Sequence, residues 1–286
     1  MCGSSEWTAS VPQTAARFPT VAISYSLRNN RRGMFGMIKN SRFADFEHPL
    51  VRDTAQRLVA NETTARGKLQ RIFAFVRDEI RFQFPVAGDL VKASETIRLG
   101  HGQCNTKSTL FLALCKAAGI PARIHFSLIS KEIQRGFFTG PAYWLMPSKI
   151  SHAWIEVEID GRWRKIDAYI NDPALQQCAI AELNRRGWRT GLSVALPQSG
   201  EPAFDLDIET EKFSQMAAVT DDHGTYDDPA EYYESPQYQN RPSRLKLWLY
   251  GLMIGAINRR VERIRQSPSN EDQMERRAVS RTAQQR

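Results

Sequence analysis

Residues 102–110 read Gly-Gln-Cys-Asn-Thr-Lys-Ser-Thr-Leu and join a glycine-containing turn directly to a long apolar stretch. The apolar pattern ends at Gly119 and Pro121, so it predicts a buried central helix over 104–118. Cys104 then lies in the first helical turn, where unpaired backbone N–H groups and the helix dipole favour a thiolate. Because the thiolate is the nucleophilic form of cysteine, Cys104 is a candidate for nucleophilic catalysis.

A hairpin further along the chain carries a histidine and an aspartate. Apolar and polar residues alternate over 152–159, and Asp160-Gly161 is a strong two-residue turn signal. The pairing that buries the aliphatic face places Asp167 opposite Trp154 and diagonal to His152. A base and a carboxylate would therefore lie side by side, in the chain order Cys, His, Asp that suits an activated thiol.

Together with 112–123 (Leu-Ala-Leu-Cys-Lys-Ala-Ala-Gly-Ile-Pro-Ala-Arg) and Gly161-Arg162-Trp163, these segments resemble the transglutaminase-like superfamily of papain-fold thiol enzymes, as a bacterial-type domain. The resemblance covers roughly residues 65–170. It implies an α+β fold in which a central helix bearing the cysteine packs on an antiparallel sheet bearing the histidine and the aspartate. By the resemblance, Cys104 is the nucleophile, His152 the general base and Asp167 its partner.

The resemblance implies thiol acyl transfer on amide or peptide bonds, with a peptide or protein substrate that offers an amide or glutamine side chain. We expect hydrolysis rather than cross-linking, because the sequence has no calcium-loop pattern of spaced acids. Protein-glutamine gamma-glutamyltransferase activity is one alternative. A catalytically inactive scaffold, or a module that binds membrane surfaces, is another. No cofactor is expected, and no metal either, because only His101 and Cys104 offer ligands at this turn.

Further site residues are expected around the thiol. The backbone N–H of Cys104 is a candidate oxyanion donor, and the side chain of Gln103 is a second. Long loops beside active sites often bind substrate, and the loop 130–150 is rich in aromatic residues. We therefore assign Tyr143 and Trp144 of this loop, with Trp154 of the hairpin, as candidate substrate-binding residues.

Composition restricts the cellular setting. The 286 residues are 42% hydrophobic, which is enough for a sizeable core. The four cysteines do not form a disulfide framework, and no signal peptide is visible, so we expect a cytoplasmic protein. The formal net charge is +8, but no zinc finger or basic stripe interleaved with aromatics accompanies it, so we expect no nucleic-acid partner.

Composition also divides the chain. We predict an N-terminal arm (1–45), a catalytic domain (46–196), an acidic linker containing prolines (197–240), an apolar and basic helix (241–265) and a disordered tail (266–286). Within the helix, the 13 residues 245–257 include ten apolar ones, too few to span a bilayer. We expect this stretch to dock on the catalytic body or to self-associate, with contact at a membrane surface as the alternative.

Overall fold

Helices and short strands alternate through the computed structural model, which describes residues 42–198, 202–211, 213–239 and 241–267. The helices are α1 (Pro49–Val59), α2 (Ala65–Ala74), α3 (Ala93–Leu99), α4 (Cys104–Ala117), α5 (Pro141–Trp144), α6 (Pro173–Arg186), α7 (Pro229–Glu234) and α8 (Arg244–Arg265). The strands are β1 (Arg81–Phe82), β2 (His101–Gly102), β3 (Ala122–Ser130), β4 (Lys149–Ile159), β5 (Arg162–Ile166), β6 (Thr190–Gly191), β7 (Val194–Ala195) and β8 (Val219–Tyr226).

Helix α4 is the buried centre of the fold. Its residues 105–115 are all buried, so water reaches almost none of its faces. The helix begins at Cys104 because the N–H of Gln103 donates to Oγ1 of Thr106 at 2.9 Å. It ends at Ala117, before Gly119 takes a left-handed conformation with φ of 71°. The predicted central helix is confirmed to within one residue of its end.

The main sheet has four antiparallel strands in the order β5-β4-β3-β8. In the β4–β5 hairpin Ile155 pairs with Ile166, which is the register that the alternating pattern predicts. Positive φ angles of 54° at Asp160 and 71° at Gly161 make the tight turn between these strands. Helix α4 packs on β3 and β4. The predicted α+β architecture, with a cysteine-bearing helix on an antiparallel sheet, is confirmed.

The interpretation of 197–240 as a linker is wrong for its second half. Strand β8 completes the sheet by pairing with β3, with irregular register between Phe126 and Ser127. Helix α7 then buries Tyr232 and Tyr233, and the ring of Tyr232 stacks on Phe126 with centroids 4.0 Å apart. The acidic composition concealed this segment because an edge strand can carry exposed charges and still supply backbone hydrogen bonds.

Both ends of the described chain pack against the body. Phe43 and Ala44 are buried, and their N–H groups donate to the carboxylate of Asp228, so they do not belong to a free arm. At the other end Arg265 forms a buried ion pair with Asp172 at 2.9 Å. Residues 1–41 of the predicted arm and almost all of the predicted tail lie outside the described residues. Within the described part, no helix combines the length and apolarity that crossing a membrane requires.

Candidate active site

Two side chains of α4 fix the cysteine-bearing turn against the histidine-bearing strand. Asn105 Nδ2 donates to Ser151 Oγ at 3.1 Å, and Ser108 Oγ donates to the carbonyl oxygen of Ala153 at 3.0 Å. Ser151 and Ala153 are the two neighbours of His152 on β4. These bonds therefore hold the first turns of α4, and with them Cys104, beside the part of β4 that carries His152.

Cys104 and His152 line one small cavity, with a volume of about 20 Å³. Such a volume has room for about one water molecule. The other lining residues are Phe82, Phe84, Gln103, Ile129, Ile133, Gln134, Phe137, Ile150, Ser193 and Gln215. The structure thus brings the predicted nucleophile and the predicted base to one small, partly open cavity, which a substrate side chain would have to widen.

The surroundings of Cys104 favour the neutral thiol over the thiolate. Its Sγ donates to Oε1 of Gln103 at 3.1 Å, and Oδ1 of Asn105 lies 3.6 Å away. Burial, and to a smaller extent the negative charge of Asp89, raises the pKa of the Cys104 thiol to about 12. The expectation of a thiolate from the helix start is wrong for this state, because desolvation and a nearby carboxylate outweigh the helix dipole.

Asp89 also determines how the Gln103 side chain is oriented. The carboxylate of Asp89 accepts one hydrogen bond from Nε2 of Gln103 and another, at 3.0 Å, from the hydroxyl of Tyr238. Since a carboxylate only accepts, the amide hydrogens of Gln103 face Asp89 and the amide oxygen faces the thiol. The oxyanion role of this side chain stays a prediction, as does that of the Cys104 backbone N–H.

The imidazole and the carboxylate of the predicted triad are both fully buried. Within the described residues the two ring nitrogens of His152 have no hydrogen-bond partner, and burial lowers the pKa of His152 to about 3. Asp167 instead accepts the backbone N–H groups of Ser214 at 2.7 Å, Gln215 at 2.7 Å and Met216 at 3.3 Å. Burial nevertheless raises the pKa of Asp167 to about 6. The catalytic roles of both residues stay predictions.

The candidate substrate-binding residues lie away from the cavity wall. Trp154 is buried and stacks on His125, with ring centroids 4.2 Å apart, while its centroid lies 5.9 Å from that of His152. Tyr143 is half-buried under Nζ of Lys131, and the side chain of Trp144 is 82% exposed. Their roles in substrate binding stay predictions.

Three phenylalanines form the aromatic wall of the cavity, whereas the sequence assigns substrate binding to three other aromatic residues. Phe82 and Phe84 follow α2 in a short alternating stretch, and Phe137 comes from the long aromatic loop. Their rings pack on one another, with centroids 5.3 to 6.2 Å apart. The polar wall residue Gln215 comes from the segment that Asp167 holds. No spacing in the sequence signals this grouping, because the residues belong to unconnected elements.

Comparison with known proteins gives a family match and some similar solved structures. The family model of the transglutaminase-like superfamily matches residues 52–168. Solved structures with some similarity include "a Putative Cysteine Protease from Cytophaga hutchinsonii", with 18% identity, a TM-score of 0.40, and coverage of 70% of this chain and 48% of that one. No curated protein sequence matches the chain.

Two further solved structures share less. One is "a Putative Protease from Parabacteroides distasonis", with 16% identity, a TM-score of 0.31, and coverage of 44% of this chain and 26% of that one. The other is described as "a TGase", with 16% identity, a TM-score of 0.28, and coverage of 44% of this chain and 31% of that one. The chain thus spans about half or less of the length of these structures. The family match covers residues 52–168, less than half of the chain, and shows that this segment is similar to the transglutaminase-like superfamily.

Proposed function

We propose that the protein is a cysteine enzyme that transfers acyl groups from amide bonds to water. The observation that carries the proposal is the shared cavity of Cys104 and His152, at the point where α4 and β4 are bonded together. A buried histidine that lines the same small cavity as a thiol is the kind of base that a thiol nucleophile requires. Asp167, which follows β5, is proposed as the carboxylate that orients the imidazole.

The reaction begins when substrate enters the widened cavity. His152 takes the thiol proton, and Sγ of Cys104 attacks the amide carbonyl carbon. The oxyanion that forms accepts a hydrogen bond from the backbone N–H of Cys104 at the positive end of α4. His152 then gives its proton to the departing amine as the C–N bond breaks, which leaves a thioester on Cys104. Water, deprotonated by His152, attacks the thioester, and the acid leaves as the thiol is restored.

Water is the proposed acceptor because the sequence has no calcium-loop pattern of spaced acids that could restrain a cross-linking activity. A protein-glutamine gamma-glutamyltransferase shares the first half of the reaction and differs only in the acceptor. This activity is therefore the nearest alternative function.

A glutamine-containing peptide tests the proposal. The peptide is incubated with the full-length protein, with and without a fluorescent primary amine at millimolar concentration. We expect conversion of glutamine to glutamate or cleavage of the peptide, little amine incorporation, and loss of both on Cys104→Ser. Cys115→Ala, at the other cysteine of α4, is the matched control and should stay active.

The outcomes separate the alternatives. Efficient amine incorporation that depends on Cys104 would replace hydrolysis with cross-linking. Turnover that persists in Cys104→Ser would show that Cys104 is not the nucleophile. No turnover and no labelling of Cys104 by a peptide-like electrophile, in a protein that melts cooperatively, would identify an inactive scaffold.

A further inference from the structure

Helix α8 has one face packed on the body. Ile254, Ile257 and Val261 are buried in the core at 3- and 4-residue spacing, and α8 is also in contact with α6. Asn258 bonds to both backbone groups of Phe84, each at 3.0 Å. The docking expected of residues 245–257 is therefore made by the end of that stretch and by the turns that follow it.

The opposite face of α8 is apolar and exposed over its first half. Leu245, Trp248, Leu249 and Leu252 follow one another at 3- and 4-residue spacing, and 44 to 65% of each residue is accessible. Val86, itself 65% exposed, adjoins this stripe next to Gly251. We call these five residues the α8 patch. Soluble proteins rarely leave a contiguous apolar surface of this kind without a partner.

Cations border the α8 patch at both ends. Lys246 is exposed at its start, and the same helix face continues with the exposed residues Arg259 and Arg263. In the part of the chain that the structure describes, none of these three side chains forms an ion pair. The one acidic residue of α8, Glu262, bonds to Arg265 instead.

The combination of exposed apolar side chains and bordering cations indicates what binds the α8 patch. Tryptophan and leucine side chains enter the headgroup region of a bilayer, and unpaired arginine and lysine side chains bind anionic headgroups. A second copy docked on the same patch would bring like charges together, which costs free energy. The nine residues from Leu245 to Met253 span about 13 Å, so the helix would lie in the interface and would not cross it.

We propose that the α8 patch docks the protein on the surface of a bilayer that contains anionic lipid. The docking is independent of the thiol chemistry, because no residue of the patch lines the candidate active site. It requires no rearrangement of α8, since the buried face of the helix stays on the core while the exposed face meets the lipid headgroups.

Flotation of the full-length protein with lipid vesicles tests the proposal. One vesicle set is pure phosphatidylcholine, and the other contains about one third phosphatidylglycerol. We expect binding to the anionic set, at least a tenfold loss with Trp248→Ser/Leu252→Ser, and a severalfold loss with weaker salt dependence for Arg259→Gln/Arg263→Gln. Trp144→Ser/Leu145→Ser, which removes two other exposed apolar side chains, is the matched control and should bind like the parent protein.

Several results would overturn the proposal. These are absence of binding to anionic vesicles, equal binding to both vesicle sets, and equal loss in the control variant. Sedimentation of all variants is measured in parallel. A dimer that Trp248→Ser/Leu252→Ser dissociates, in a protein that does not bind vesicles, would assign the patch to a second copy. Thermal melts are measured for every variant. An unchanged melting temperature shows that a loss of vesicle binding comes from the altered surface and not from unfolding.

Discussion

At the scale of single residues, the site shows how far a local sequence argument extends. The helix start at Cys104 and the positions of His152 and Asp167 follow from local patterns, and the structure places Cys104 and His152 on one cavity. The ionisation of the thiol does not follow from such patterns. It depends first on burial and then on Asp89, which reaches the site from an irregular segment before α3.

Removing the charge of Asp89 should make the thiol more reactive. Asp89→Asn eliminates a negative charge beside Cys104 and should lower the pKa of the thiol, because the thiolate is no longer repelled. We expect iodoacetamide to modify Cys104 severalfold faster at pH 7 than in the parent protein. Cys115 in the same molecule is the internal reference, and an unchanged ratio of the two rates would contradict the assigned role of Asp89.

The buried imidazole should destabilise the protein in acid. The pKa of His152 falls from 6.5 to about 3 on folding, so below pH 6.5 the unfolded chain binds a proton that the native state binds only near pH 3. Stability is therefore lost as the pH falls through this window, by about 5 kcal/mol at ~1.4 kcal/mol per pKa unit. His152→Gln should lose less free energy of unfolding between pH 6.5 and 3.5 in urea titrations.

Asp167 should affect the pH dependence of stability in the direction opposite to His152. Its pKa rises on folding from 3.8 to about 6, so the stability linked to its protonation is present at low pH and is lost as the pH rises through about 6. Asp167→Asn should therefore change the pH slope in the direction opposite to His152→Gln. Equal slopes in both variants and the parent protein would show that neither group is buried as described.

At the scale of helices and strands, the periodicity of the sequence predicted the elements that are determined by neighbouring residues. It missed the elements that depend on tertiary contacts. The start of α4 and the register of β4 with β5 follow from apolar spacing and from the turn at Asp160-Gly161. Strand β8 carries acidic residues and a glycine, so its place on the edge of β3 comes from backbone pairing, which composition does not reveal. The same holds for the segment 214–216, which Asp167 positions from a distance in the sequence.

Loss of the Asp167 carboxylate should free the segment 214–216. Asp167→Ala leaves three backbone N–H groups without their acceptor, whereas Asp167→Asn retains one amide oxygen. We expect the amides of 214–216 to lose protection from hydrogen exchange strongly in the alanine variant and partly in the asparagine variant. The amide of Leu175, which Asp172 caps, is the reference. Full protection of 214–216 in Asp167→Ala would contradict this role.

At the scale of the whole molecule, residues outside the family match complete the fold. Strand β8 adds the fourth strand of the sheet, and α8 supports the cavity wall because Arg265 and Arg260 donate to the backbone oxygens of Phe82 and Phe137. The sequence indicated a separate linker and an attached helix because it shows composition but not long-range pairing. The structure joins both segments to the body that carries the site.

The buried ion pair of Arg265 and Asp172 should be an important attachment of α8. Arg265→Ala leaves a buried carboxylate without its cation, which typically costs about 3–5 kcal/mol. We expect a clear fall in melting temperature. Arg185→Ala, which breaks an exposed pair with Glu182, is the matched control and should change it little. Similar melting temperatures for both variants would show that α8 is held by other contacts.

The central claim is that Cys104 acts as a nucleophile with His152 as its base. Its most direct test is the reaction of the folded, full-length protein with a peptide carrying an electrophilic carbonyl surrogate, followed by peptide mapping of the adduct. The account predicts one adduct, on Cys104, which is absent in Cys104→Ser and forms much more slowly in His152→Ala. A folded protein that gives no adduct, equal modification of Cys104 and Cys115, or an unchanged rate in His152→Ala would contradict it.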